Sequence, residues 1–139
     1  MALERTFAIV KPDAVKDGHV GEIITTIEQS GLKVVGLKLT RLTPIICQGF
    51  YHEHVGKGFY AELEAFMTEG PVAIMVLEGE NAILRWRDLM GAANPANAAE
   101  GTLRKRFGTN IGRNATHGSD KPESAKFEVS YFFNAFEQM

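Results

Sequence analysis

The chain has 139 residues, of which 45% are hydrophobic and 23% are charged, and these proportions are typical of a soluble globular domain with a real core. The net charge of −2 argues against a large nucleic-acid-binding surface, and no apolar run is long enough to span a membrane. The lone Cys47 excludes an internal disulfide, which fits a cytoplasmic protein. We expect a single domain over residues 1–139.

The first half of the chain alternates strand and helix patterns. A β-rich run at 6–10 predicts a strand, and an apolar stripe over 20–27 predicts a helix that ends near Gly31. Alternating residues at 32–42 predict a second strand. Thr43 followed by proline is typical of a capped helix start.

The second half adds another strand and several helices. An apolar stripe from Phe59 to Met67 predicts a helix, and the continuous apolar run at 72–77 is typical of a buried strand. A helix over 83–90 follows, and Thr102 is placed to cap a short helix. A strand between this short helix and the last helix stays open, and the last helix is expected to start near Ser119. The order indicates an α/β or α+β sandwich, with β-α-β-β-α-β visible if the middle helices are an insertion.

A basic run lies next to a histidine. Residues 103–113, LRKRFGTNIGR, contain four cations and no acid. Such a run forms either a solvated helix face or a pocket for a small polyanion. The run is followed directly by NATHGSD, a stretch of turn-forming residues around His117. A lone histidine in such a loop is usually a surface residue, but a histidine beside a cationic pocket could react with a bound anion.

Glu128 is a candidate partner for this histidine. It borders the apolar face of the last helix, where an ionised carboxylate needs a partner. His117 and Ser119 are both within reach, and the alternative is a side chain that extends to solvent. A carboxylate that fixes one imidazole nitrogen leaves the other free to act as a base or nucleophile.

Other candidates are single residues. Lys11 ends the first strand, a common position for ligand-binding groups. Tyr51 and Phe59 flank a possible groove, although each is more typical of a core. No GxxxxGK[ST] or GxGxxG loop is present. His52 and His54 would diverge on a helix, so no protein metal cage is predicted.

Five stretches together resemble one family. TFAIVKPDAV, FYHEH, LMGAANP, GTLRKRFG and NATHGSD are similar in order and spacing to nucleoside diphosphate kinases, over essentially the whole chain. The resemblance implies an α+β, ferredoxin-like β-α-β-β-α-β sandwich with an antiparallel sheet and added helices. It also implies a cytoplasmic homotetramer or homohexamer built from dimers.

The resemblance also implies a mechanism and residue roles. The histidine matching His117 takes the γ-phosphate of a nucleoside triphosphate as phosphohistidine and passes it to a diphosphate, by ping-pong kinetics with broad base and sugar tolerance. Nucleotide-binding roles fall on Lys11, Tyr51, Phe59, Arg87, Arg104 and Asn114. Ser119 and Glu128 would orient the histidine, Gly118 would give the backbone freedom, and Mg²⁺ would arrive on the nucleotide phosphates.

One departure and two rivals remain. Ala93 stands where many family members have a threonine whose hydroxyl reaches the phosphates. A regulatory module that binds nucleotides without catalysis would share much of this pattern. A nucleic-acid-binding protein using residues 103–113 is the other rival, and it would show a steep salt dependence.

Overall fold

The computed structural model of the protein describes residues 3–139 and is built around a four-stranded sheet. The strands are β1 (Leu3–Val10), β2 (Lys33–Thr40), β3 (Val72–Glu80) and β4 (Thr116–Gly118). Their spatial order is β2-β3-β1-β4, and each neighbouring pair is antiparallel. This order confirms the ferredoxin-like prediction, because β1 and β3 lie side by side at the centre although a whole β-α unit separates them in sequence.

Helices cover both faces of the sheet. They are α1 (Pro12–Lys16), α2 (Val20–Gln29), α3 (Pro44–Phe50), α4 (Tyr60–Met67), α5 (Ala82–Met90), α6 (Leu103–Phe107) and α7 (Pro122–Phe132), with short 3-10 turns at Pro95–Asn97 and Ala135–Glu137. Phe7 and Ile9 of β1 pack with residues of α3, α4 and α7. Ala8 and Val10 point the other way and pack with α2, α5 and α6. Both central strands are therefore buried on two sides.

Several local predictions agree with the structure. Helix α2 ends two residues before Gly31, which has a φ of +93°. Thr43 caps α3, since its Oγ1 accepts a hydrogen bond from the backbone N–H of Ile46 at 3.2 Å. Strand β2 has an irregularity between Val34 and Gly36, which interrupts the predicted alternation.

Other local predictions were wrong in detail. Thr102 precedes α6, but its hydroxyl donates to the Ala99 carbonyl at 2.7 Å and does not cap the helix. Helix α7 begins at Pro122 and not near Ser119, because proline suits the first helical turn. Phe59 precedes α4 and is exposed, so it does not belong to the buried stripe.

Gly118 is explained by packing and not by backbone freedom. Its φ is not among the positive values. A Cβ at Gly118 would lie 2.6 Å from Trp86 Cδ1 and 2.7 Å from Met90 Cε. The same tryptophan donates from Nε1 to the His117 carbonyl at 3.1 Å. These contacts hold α5 close to β4 and fix the position of the His117 backbone relative to α5.

We predict that Gly118→Ala lowers the free energy of unfolding by about 1–3 kcal/mol, because the added methyl overpacks the Trp86 contact. Urea denaturation would measure it. Gly21→Ala is the matched control, since Gly21 lies in α2 with open space around its Cβ position; there alanine should leave stability unchanged or raise it by up to about 1 kcal/mol. Equal stability of the two variants would contradict the packing argument.

Candidate active site

His117 lies in β4, at the edge of the sheet, and is half-buried. Its Nε2 is 3.0 Å from Glu128 Oε1, and Ser119 Oγ donates to the same oxygen at 2.9 Å. The Glu128 side chain is only 15% exposed, so it does not extend to solvent. The structure thus brings Glu128 to both of the partners that the sequence offered.

This arrangement fixes the imidazole. An ionised carboxylate only accepts hydrogen bonds, so the proton of the neutral ring lies on Nε2 and the lone pair on Nδ1. Nδ1 makes no hydrogen bond within residues 3–139. The rings of Phe7 and Phe50 lie against the imidazole, with centroids 6.2 and 5.6 Å away. The free nitrogen is therefore held in one direction.

A cavity of about 240 Å³ surrounds His117. Arg87 from α5 lines it, and so does the buried Tyr51 that follows α3. Burial raises the pKa of the Tyr51 phenol well above its usual range, so the hydroxyl stays protonated at neutral pH. His54 also lines the cavity, and its buried Nδ1 has no partner among the described residues. The sequence gives no signal for this position of His54 beyond its unsuitability as a metal ligand.

Arg104 is held rigidly beside β4. Its two terminal nitrogens donate to the Gly91 carbonyl at 3.0 Å and to the Thr116 carbonyl at 2.9 Å. Burial, and then the charge of Arg87, lower the pKa of Arg104 to about 10. Both arginines line one cleft with Ala93 and Thr102. Two cations that repel each other in a cleft are suited to bind an anion.

Lys11, Asn114 and Ala93 form a chain of hydrogen bonds. Lys11 Nζ donates to Asn114 Oδ1 at 2.8 Å, and Asn114 Nδ2 donates to the Ala93 carbonyl at 2.9 Å. Burial, and then the charge of Arg104, lower the pKa of Lys11 to about 8. Ala93 is exposed and brings only a methyl group to the cleft. The hydroxyl of Thr102 is bonded to Ala99 and does not replace the missing donor.

A larger cleft of about 760 Å³ adjoins Lys11. Phe59 and Ile111 line it, with 51% and 66% of their surfaces exposed. Asn110 Oδ1 accepts from the backbone N–H groups of Gly112 and Arg113, at 2.9 and 3.0 Å, and so builds the loop that carries Ile111. Ile111 was missed from sequence because it stands inside the basic run.

The basic run does not act as one pocket. Arg106 pairs with Glu22 at 2.7 Å, and Arg113 makes two hydrogen bonds to Glu69 at 3.1 and 2.7 Å. Arg106 is thus neutralised on the surface. Arg113 lines the large cleft while paired with Glu69, and Arg104 lines the cleft that it shares with Arg87. Of the two interpretations of residues 103–113, a solvated helix face describes Arg106, whereas Arg104 and Arg113 line two different clefts.

A family model for nucleoside diphosphate kinase matches residues 4–138. The chain belongs to the nucleoside diphosphate kinase family. It is 56% identical to the nucleoside diphosphate kinase of Syntrophotalea carbinolica over 94% of this chain and 96% of that one. It is 55% identical to the enzyme of Oleidesulfovibrio alaskensis over 96% of both chains. The predicted resemblance is confirmed.

Solved structures of the family agree with the fold. The Aquifex aeolicus nucleoside diphosphate kinase superposes with a TM-score of 0.97 at 42% identity, covering 99% of this chain and 100% of that one. A halophilic nucleoside diphosphate kinase from Halobacterium salinarum, in complex with CDP, gives 0.95 at 41% identity, covering 99% and 92%. This chain is thus a phosphotransferase of the nucleoside diphosphate kinase type.

Among residues 3–139, no helix is long and apolar enough to cross a membrane. The same residues contain no group of three or more histidine, cysteine or acidic side chains arranged to hold a metal ion. The cations of the clefts are instead suited to phosphate groups.

We predict that kcat/KM falls as the pH rises above about 8, because the Lys11 ammonium is charged only below its pKa of about 8 and kcat/KM reports ionisations of the free enzyme. The measurement is a pH profile of nucleoside diphosphate phosphorylation. In Lys11→Arg the side chain stays charged, so the alkaline decline should move to higher pH even if the absolute rate is lower. A parent profile that stays flat to pH 10 would contradict the role of Lys11.

Proposed function

We propose that the protein transfers the γ-phosphate of a nucleoside triphosphate to a nucleoside diphosphate through a phosphohistidine on His117. The observation that supports this most directly is the bond from Nε2 to Glu128, which leaves Nδ1 free in the cavity lined by Arg87. The Nδ1 lone pair attacks the γ-phosphorus, and the bond from phosphorus to the β,γ-bridging oxygen breaks. The diphosphate leaves with that electron pair, and a second diphosphate then reverses the step.

We assign charge stabilisation to the arginines and the lysine. Arg104 is already fixed by two backbone carbonyls, so it pays little reorganisation when charge develops on the transferring phosphate. Arg87 faces the same phosphate from α5. Lys11 and Asn114 hold the ribose hydroxyls and phosphates next to it, and Ser119 with Glu128 orients the imidazole.

Magnesium enters this proposal as part of the substrate. Lys11, Arg87 and Arg104 make the clefts cationic, which suits polyphosphate and opposes a resident metal ion. Mg²⁺ bridging the nucleotide phosphates would neutralise charge on the transferring group.

The base is proposed to lie between Phe59 and Ile111. Every base has a π-face, so stacking on Phe59 discriminates little between bases. Broad tolerance of base and sugar follows from this, and the Halobacterium salinarum relative, solved with CDP, supports nucleotide binding of this kind.

We also propose a single-domain, cytoplasmic protein that assembles as a homotetramer or homohexamer of dimers. Leu37 and Leu39 are exposed on the edge strand β2, which offers an apolar surface for self-association. Burial raises the pKa of the Cys47 thiol to about 11, so this free cysteine is protected from oxidation. Size-exclusion chromatography with light scattering would measure the assembly.

The experiment that tests the mechanism uses ATP labelled on its γ-phosphate. We expect acid-labile, base-stable label on His117 and none on His117→Ala, which should also lose turnover but keep nucleotide binding. A regulatory module without catalysis would give no label on either protein. Comparable turnover in the alanine variant would rule out the phosphohistidine.

The labelled enzyme also reports base specificity. Isolated phosphoenzyme, chased with ADP, GDP, CDP or UDP, should pass its label to each with modest differences in rate. A preference on the order of 10⁴ between bases would require hydrogen-bond readout of a base edge, and the stacking proposal would then fall.

Ala93→Thr tests the missing hydroxyl. A donor to a charged phosphate is worth roughly 1.5–3 kcal/mol, part of which water already supplies. We expect kcat/KM to rise about threefold to thirtyfold. Ala96→Thr is the matched control and should have little effect, because Ala96 is exposed and does not line this cleft. An Ala93→Thr variant no faster than the parent would show that water fills the position.

A further inference from the structure

A strained turn lies between two of the candidate site residues. Ala115 has a φ of +72°, and the Thr116 N–H donates to the Asn114 carbonyl at 2.8 Å. This i to i+2 hydrogen bond with a positive φ defines a γ-turn of the rare, strained kind. The turn joins Asn114 to β4. Its geometry therefore sets the orientation of His117 relative to Asn114.

The segment after β1 hydrogen-bonds both the carbonyl and the N–H of Ala115. The Lys11 backbone N–H donates to the Ala115 carbonyl at 2.8 Å, and Asp13 Oδ2 accepts from the Ala115 N–H at 3.1 Å. A residue in the left-handed region persists only where its surroundings enforce it. Here both backbone polar groups of Ala115 are hydrogen-bonded, and within residues 3–139 the side chain that bonds one of them is that of Asp13.

Asp13 is not placed to satisfy its own hydrogen-bonding needs. The residue is buried, and Oδ1 is buried without a hydrogen-bond partner among the described residues. Burial raises the pKa of this carboxyl, which reflects an unfavourable environment for its charge. A buried and half-satisfied carboxylate is costly to stability, and this one accepts a hydrogen bond from the Ala115 N–H of the strained turn.

We propose that Asp13 is a positioning residue for phosphate transfer, whose carboxylate holds the Ala115 amide and thereby aims His117 at the bound phosphate. This inference rests on the proposed phosphohistidine at His117. Asp13 itself touches neither nucleotide nor imidazole in this scheme. It acts through the geometry of the turn.

A second role for Asp13 must be separated from this one. Its negative charge raises the pKa of Lys11, against the opposing effects of burial and of Arg104. Asp13→Asn removes the charge but keeps an acceptor oxygen at the Oδ2 position. Asp13→Glu keeps the charge but moves the oxygens by one methylene. Asp13→Ala removes both.

The test measures the rate constant for phosphorylation of His117 by ATP, in a single turnover at pH 7 and per folded molecule. Misplacement of a reacting group on the scale of 1 Å costs about a hundredfold, so we expect Asp13→Ala and Asp13→Glu to be slowed about tenfold to a hundredfold. Asp13→Asn should stay within about threefold of the parent. Amide hydrogen exchange at Ala115, followed by NMR, should accelerate in the slow variants and not in Asp13→Asn.

Thr43→Ala is the control for lost stability. It also removes a side-chain acceptor from a backbone N–H, that of Ile46, but in α3. It should lower Tm and leave the phosphorylation rate unchanged. If the parent itself takes no label, the proposed function is wrong, whatever Asp13 does. If the parent is labelled, the positioning role is overturned by either of two results: Asp13→Glu is as fast as the parent, or Asp13→Asn is as slow as Asp13→Glu. Neither comparison requires Asp13→Ala to fold.

Discussion

The hydrogen bonds at Glu128 tie the candidate site to the sheet. Glu128 Oε1 accepts from His117 Nε2 and from Ser119 Oγ, and Ser119 Oγ in turn accepts from the Phe7 N–H at 3.3 Å. The Ser119 N–H donates back to the Phe7 carbonyl at 3.2 Å. A buried polar network is stabilising only when its members are satisfied. Helix α7, strand β4 and strand β1 must therefore be in register before the imidazole has a defined direction.

Much of the fold could be predicted because buried faces of helices and strands require apolar residues at regular spacings in the sequence. The run at 72–77 is continuously apolar because β3 is buried on both faces, and Glu128 could be identified because it borders the apolar face of the last helix. The details that failed depend on contacts between distant segments. No local pattern shows that Asn110 builds the turn presenting Ile111, or that Arg113 is neutralised by Glu69.

The electrostatics of the clefts explain why their residues differ from other cations of the chain. Arg106 and Arg113 have carboxylate partners, whereas Lys11, Arg87 and Arg104 form no ion pair within residues 3–139. Burial and then the charge of Arg104 lower the pKa of Lys11, and burial and then the charge of Arg87 lower the pKa of Arg104. This repulsion costs stability in the free protein, and a polyanion that enters the clefts relieves it.

The two clefts and the cavity are neighbours in the fold. Lys11 lines the large cleft with Phe59, and its bond to Asn114 leads to Ala93, which shares the next cleft with Arg104. Arg87 lines both that cleft and the cavity of His117. A nucleotide with its base at Phe59 would therefore point its phosphates toward the free Nδ1. In the proposed mechanism the phosphate stays on His117 between the two half-reactions, so donor and acceptor can use one nucleotide site in turn and a second site is not required.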